Sequence, residues 1–162
     1  MIADSSRELV DSMSDIVWAI NPQKDHLRDL IQRMRRFASD IFTLREIEFA
    51  FEAPSAEVEI GANIRRELFL IFKEAVHNIV KHAECSFVEI ELTANDRNIE
   101  LVVRDNGRGF DIQEAAHIGH GLTSIRARVA GVGGHVEITS DDRGTLLRAT
   151  VPLLLKSGNG SF

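Results

Sequence analysis

Residues 86–110 read SFVEIELTANDRNIELVVRDNGRGF, and their patterning decides the fold class. Residues 86–94 and 98–104 are rich in Val, Ile, Leu and Phe with polar residues interposed, the pattern of half-buried β-strands. Asn95 and Asp96 fall between them, a turn signal that makes the pair a hairpin. Strands joined by so short a turn pair antiparallel. The second strand runs directly into Asp105-Asn106-Gly107-Arg108-Gly109-Phe110. Leu101 and Val103 give it a buried face, so Asp105 closes a buried element, where a carboxylate needs a partner.

Downstream, a glycine-containing loop spans 105–121 and a helix follows from about Leu122 to Ala130. Gly131, Gly133 and Gly134 stop that helix. Residues 135–140 and 145–153 form a last hairpin across Asp141–Gly144. The tail 157–162 is Gly/Ser-rich and is expected to fray. Upstream, a long helix is predicted over 63–83. Before it, Ile47, Phe49 and Phe51 alternate with Glu48, Ala50 and Glu52, the period of a strand ended by Pro54 and Ser55. Leu27, Leu30, Ile31, Met34, Phe37, Ala38 and Ile41 make one apolar helical face, capped by Asp25 and running to about Leu44. Asn21–Pro22 separates it from an N-terminal helix over 5–20, in which Leu9, Met13, Ile16 and Ile20 recur in heptad spacing. That stripe suits either a dimerisation helix or an amphipathic helix packed on its own domain.

The resulting order of elements is helix, helix, strand, helix, strand, strand, helix, strand, strand. It predicts a two-layer α/β sandwich, a mixed and mostly antiparallel sheet covered by helices on one face, plus the N-terminal helix. The expected organisation is an end-of-dimerisation segment at 1–22, one domain at 23–156 and a flexible tail at 157–162.

With 162 residues, 44% of them hydrophobic, the chain can bury one substantial core. A net charge of −6 argues against a general nucleic-acid binder. The Arg33, Arg35, Arg36 cluster is expected to be a solvated helix face. Cys85 is the only cysteine, read as a small buried hydrophobe, and excludes an internal disulfide. No apolar run has the length of a membrane helix, and the composition suits the cytoplasm.

Helix 63–83 carries the candidate chemistry. Leu68, Phe69, Phe72, Ala75, Val76, Ile79, Val80 and Ala83 span one arc; Glu67, Glu74, His77, Asn78, Lys81 and His82 span the other, joined by Leu70 and Ile71. Glu74, Asn78 and Lys81 stand at i, i+4 and i+7 and stack on one face. A carboxylate, an amide oxygen and an ammonium in a row suit Mg-nucleotide chemistry, since Mg²⁺ takes one or two protein oxygens beside phosphates and waters. Equally, such a row is ordinary charge patterning on a solvated helix. An adenine amine would give Asp105 its donor, and Gly107 and Gly109 permit positive φ and close approach of a flat ring. Asp-Asn-Gly is also simply a common turn. Gly119-His120-Gly121 precedes a helix, whose N-terminal amides form an anion site. Residues 111–118 between the two glycine motifs are a candidate lid.

Taken in order, these segments resemble the ATP-binding domain of sensor histidine kinases, the Bergerat fold shared with gyrase, Hsp90 and MutL. The resemblance rests on the N-box from Glu74 to Ala83 (EAVHNIVKHA), the glycine boxes Asp105–Phe110 and Gly119–Leu122, Gly133–Gly134, Gly144–Thr145 and the closing Pro152–Leu153. It covers about residues 45–155. The form of the N-box and residues 125–128 (IRAR) look like the branch of nitrate-sensing and lipid-fluidity-sensing kinases, and residues 13–22 (MSDIVWAINP) like the end of that branch's dimerisation region.

The resemblance implies a role for each matching position. Asp105 bonds the adenine amine with support from Thr145, Gly109 flanks the base, and Gly107 and Phe110 belong to the same nucleotide-binding box. Asn78 ligates Mg²⁺, and Glu74 is the candidate base assisting phosphoryl transfer. Lys81 and His82 contact phosphates. Gly119, His120 and Gly121 line the phosphate end and hinge the lid, and Leu122 completes that nucleotide-binding box. It also implies ATP and Mg²⁺ as ligands, a homodimer in the full-length protein, and a response regulator as phosphate recipient. None of His26, His77, His82, His117, His120 and His135 fits the family's phosphoacceptor position, so the acceptor helix is expected upstream of this chain. A non-catalytic, nucleotide-gated interaction module of the same fold is the alternative.

Overall fold

The computed structural model describes residues 26–55, 57–112 and 120–153, with the backbone alone at His120 and Gly121. The expected N-terminal helix, the 1–22 segment, Gly119, the lid beyond Ile112 and the 157–162 tail lie outside the described residues.

The first helix, α1, spans Leu27–Leu44. Leu27, Leu30, Met34, Ala38 and Phe42 recur at three and four residues and are all fully buried, as an amphipathic helix requires. His26, and not Asp25, stands at the cap position and makes no side-chain cap bond. A tertiary contact opens the helix instead: Leu27 N–H donates to Val58 O at 2.8 Å, and His26 bridges Glu59. The arginine cluster is a largely solvated helix face, as expected, with Arg35 and Arg36 exposed and Arg33 half-buried. The guanidinium of Arg33 lies 5.5 Å from the Phe69 ring centroid and that of Arg35 4.8 Å from Phe51, cation–π geometry in both cases.

Strand β1 (Glu48–Glu52) alternates exposed and half-buried residues. Helix α2 runs Ala62–Asn78 and gives way to a π-helical turn at Ile79–Ala83, closed by Glu84 in the left-handed region at φ 50°. The single α-helix expected over 63–83 is thus two backbone forms, and π turns concentrate at functional sites. Strands β2 (Phe87–Ala94) and β3 (Asn98–Asp105) form the expected hairpin. Helix α3 spans His120–Gly131, slightly longer than the sequence indicated, followed by β4 (His135–Asp141) and β5 (Gly144–Pro152).

The sheet order is β1-β2-β3-β5-β4. β1 pairs parallel with β2, and the remaining neighbours are antiparallel. Val88, Ile90, Leu92, Ile99, Leu101, Val103, Leu147, Ala149 and Val151 point into one core with the helices. Glu89, Glu91, Arg104 and Arg148 on the opposite face are exposed. The two-layer sandwich with helices on one face is therefore the observed architecture. Each fully buried Leu, Ile or Phe contributes about 1.5–3 kcal/mol to it.

Helix α2 departs from the expected two-arc division. Ile71, assigned to the polar arc, is fully buried, and so is Arg65. The reason is that α2 is the central helix, packed against α1 on one side and α3 on the other. More than half of its circumference is consequently covered.

Candidate functional site

A cavity of about 690 Å³ opens between α2 with its π turn and the ends of β3 and β5. Glu74, Asn78, Lys81 and His82 line the helical wall; Asp105, Gly109, Phe110 and Thr145 line the sheet wall; Leu122 lines the α3 side. The polar row chosen from helical spacing and the carboxylate chosen from the strand end therefore meet across one space. The floor is apolar, with Ile79, Val103, Ile138 and Leu147, so a flat, largely apolar ring system fits between the two polar walls.

Asp105 is the chemical centre of the sheet wall. It is 6% exposed, and one carboxylate oxygen accepts the Gly107 N–H at 2.9 Å. Burial pushes its carboxyl above the ordinary value, while the backbone N–H groups of Gly107 and Thr145 partly offset the rise. A buried carboxylate with remaining acceptor capacity beside an apolar floor is matched to a neutral donor such as an exocyclic amine.

The loop after Asp105 is fixed at several points. Asn106 Oδ1 accepts the N–H of both Ser86 and Phe87 at 3.0 Å, and its Nδ2 donates to Ser86 Oγ at 3.0 Å. Arg108 N–H donates to Ala83 O at 2.8 Å and Arg108 Nε donates to His82 O at 3.1 Å, so the loop caps the last carbonyls of the π turn. Gly109 adopts φ 71°, and a Cβ there would lie 1.8 Å from Asp141 O. Gly107 differs from expectation. It is not among the positive-φ glycines and is not among the cavity-lining residues. A Cβ at this position would lie 2.0 Å from Ala83 O. Glycine is required here by the approach of loop to helix, not by a ring.

Phe110 N–H donates to Ser140 Oγ at 2.8 Å, and Ser140 Oγ lies 2.8 Å from Thr145 Oγ1. Thr145 stands directly opposite Asp105 in the β3–β5 register. His120 and Gly121 fall in the first turn of α3.

Four further polar residues line the cavity wall beyond those the sequence points to: His77, Arg108, Asp111 and Ser124. His77 was noted on the polar arc, and its ring packs edge-on against Phe37 of α1 at 5.8 Å. Arg108 lies between Gly107 and Gly109, and Asp111 follows Phe110. Ser124, two residues past Leu122, had no signal beyond its place near a helix start. Ser140 stands behind the wall, and only the loop geometry reveals it.

For a divalent cation, the donor set is an amide and a carboxylate one turn apart, Asn78 and Glu74. Among the described residues, no three His, Cys, Asp or Glu side chains gather into a metal-binding group. That set fits a hard cation held mainly by phosphate and water oxygens, and not a self-sufficient protein metal cage. Among the described residues no helix is long and apolar enough to cross a membrane.

Residues 63–155 match the family described as histidine kinase-, DNA gyrase B- and HSP90-like ATPases. The chain is 31% identical over 98 residues to the sensor histidine kinase LiaS of Bacillus subtilis, covering 60% of this chain and 27% of that protein. It is 32% identical over 98 residues to the sensor protein VraS of Staphylococcus aureus, covering 60% and 28% respectively. The chain thus spans less than a third of the length of these curated relatives. Among solved structures, the histidine kinase domain of the blue-light activated histidine kinase of Erythrobacter litoralis superposes with a TM-score of 0.66 at 22% identity, over 76% of this chain and 61% of that one. The histidine kinase AdeS of Acinetobacter baumannii superposes with a TM-score of 0.68 at 13% identity, over 94% and 81%. These likenesses show the fold.

Proposed function

The chain belongs to the histidine kinase-, DNA gyrase B- and HSP90-like ATPase family, and from that premise we propose that it is the Mg-ATP-binding catalytic unit of a two-component sensor histidine kinase. Residues 23–156 form this unit, and 1–22 are the end of a dimerisation segment. The observation that carries the proposal is the facing of Asp105 and the Glu74–Asn78–Lys81 row across one cavity.

In this proposal Asp105 accepts a hydrogen bond from the adenine amine, supported by Thr145, while Gly109 and Phe110 border the base. Lys81 offers a positive charge to the phosphates, His82 contacts them, and Gly119, His120 and Gly121 line the phosphate end. Asn78 contributes a neutral oxygen to Mg²⁺, which would hold the phosphate oxygens and draw off their developing charge. Glu74 assists proton removal from the attacking nucleophile. That nucleophile is a histidine on helices other than those described, and the phosphoryl group passes on to a response regulator. The work of these residues is positioning and charge neutralisation. The likeness to sensor kinases supports this assignment over a non-catalytic, nucleotide-gated module.

The test is calorimetric titration of Mg-ADP into the chain and into Asp105→Ala. It is followed by incubation of the chain and γ-labelled ATP with separately supplied acceptor-histidine helices. The expected results are binding that the substitution abolishes and acid-labile label on the acceptor alone. Absence of binding at millimolar ligand overturns the proposal, and binding without transfer favours the non-catalytic module.

A further inference from the structure

The last carbonyls of a helix find no partner within it and must be met from outside. At the end of the π turn Ile79–Ala83, one residue meets two of them. Arg108 N–H donates to Ala83 O at 2.8 Å, and Arg108 Nε donates to His82 O at 3.1 Å. The first bond belongs to the backbone and survives any substitution except proline. The second exists only while the side chain carries an N–H at the ε position. The charge of Arg108 is held less firmly among the described residues. Its Nη1 lies 3.9 Å from Glu84 Oε1, with the two side chains 61% and 75% exposed, an ion pair of little worth.

We propose that Arg108 is a positioning residue for the phosphate end of the cavity: its Nε–H fixes the His82 peptide and so aims the His82 ring at the phosphates of a bound nucleotide. This rests on the nucleotide assignment above and deepens it. A π turn rotates successive residues less than an α-helix does, so His82 points where an uninterrupted α2 would not send it, and there it lines the cavity. Its direction therefore depends on how the end of the turn is held. Arg108 also belongs to the loop that carries Asp105 and Gly109, so the same bond ties the base wall to the phosphate wall. The loop's own seat does not need that bond. Gly107 lies directly against Ala83, and Asn106 accepts the N–H groups of Ser86 and Phe87. Loss of the Arg108 side chain thus leaves the fold and the base wall in place and loosens the phosphate end alone.

Two substitutions separate the N–H from the charge. Arg108→Gln keeps an N–H at the ε position without the charge, and Arg108→Lys keeps the charge with a methylene in that place. The experiment titrates Mg-ADP and adenosine into the wild-type chain and both variants. Arg108→Gln is expected to bind Mg-ADP within about twofold of wild type, and Arg108→Lys about fivefold more weakly, the effect of one hydrogen bond. Adenosine, which has no phosphate, should bind all three alike. In a His82→Ala background the difference between the two variants should vanish, since the bond acts through His82. The reverse ranking, with Lys retaining affinity and Gln losing it, marks a charge acting on the phosphates directly and overturns the proposal. Equal Mg-ADP affinity of the two variants overturns it, as does a difference that persists without His82. A parallel loss of adenosine marks a side chain that only holds the loop, and overturns it too. A wild type that binds neither ligand removes the nucleotide assignment itself.

Discussion

Arg128 of α3 reaches Glu67 of α2, its Nη1 lying 3.2 Å from Glu67 Oε2, and the Glu67 side chain is only 14% exposed. This partly enclosed ion pair sits between the two helices that border the cavity. Glu67 also takes Arg66 at 3.2 Å, but that arginine is 45% exposed. Glu67→Gln is expected to cost about 1–2 kcal/mol, since a charge-assisted bond in a desolvated setting is lost. Arg66→Ala should cost less than ~0.5 kcal/mol, as exposed pairs do. Urea unfolding of the two variants tests the ranking, and equal losses would refute it.

Asp105→Asn separates stability from binding. Burial raises the Asp105 carboxyl above its ordinary value. The folded-state value of this acid therefore lies above the unfolded one, so its stabilising contribution exists at low pH and is lost as pH rises through the folded value. An asparagine is neutral throughout and still accepts the Gly107 N–H. Its melting temperature is expected to equal or exceed wild type at neutral pH, with the difference shrinking as pH falls through the carboxyl's titration. Mg-ADP affinity should drop at least tenfold in the same variant. Wild-type affinity runs the opposite way with pH, weakening on acidification as the carboxylate acceptor is protonated. A variant that melts well below wild type at neutral pH would contradict this account.

Two glycines form a matched pair for substitution. At Gly107 a Cβ meets the backbone of Ala83 at 2.0 Å, whereas at Gly131 nothing lies within 4 Å. Gly107→Ala must push the loop off the π turn. It is expected to lower stability by about 1–3 kcal/mol, the usual cost of overpacking, and to weaken nucleotide binding with it. Gly131→Ala should fold as wild type. Thermal melts with parallel titrations check both.

Cys85 is expected to alkylate slowly. Burial raises its thiol above the ordinary value first, and the charge of Asp105 second, so little thiolate is present at neutral pH. Iodoacetamide labelling should run slower than for a free thiol. It should speed up modestly in Asp105→Asn, where the second cause is removed. No change in that variant would mean burial acts alone.

The sheet was legible because strands 87–94, 98–105 and 144–152 keep a period of two, with Ile90, Leu101 and Ala149 on the inner face. Asp105 was legible because a carboxylate at the end of such a strand needs a donor. The spacing of Glu74, Asn78 and Lys81 placed them on one face, and the cavity does bring them together. The helix change at Ile79 was not legible. A π turn arises from how the helix end meets the 105–110 loop, and residues 79–83 (IVKHA) show no local break. Burial of Ile71 and Arg65 was hidden for a related reason: periodicity gives the direction of a helix face and not the number of neighbours that cover it. Ser140 reads as an unremarkable polar residue before a turn. Its importance appears only when Phe110 and Thr145, distant in sequence, converge on it.

The single parallel pairing among the described strands has a kinetic consequence. It joins β1, ending at Glu52, to β2, starting at Phe87, and α2 with its π turn is the connection between them. The β2–β3 hairpin bearing Asp105 closes over a short turn and can form early. The helix bearing Asn78 and Lys81 is correctly seated only when the long crossover has closed, a slow event for a non-local contact. Refolding should therefore acquire nucleotide affinity in its slowest phase. Added Mg-ADP should leave the refolding rate unchanged and retard unfolding alone.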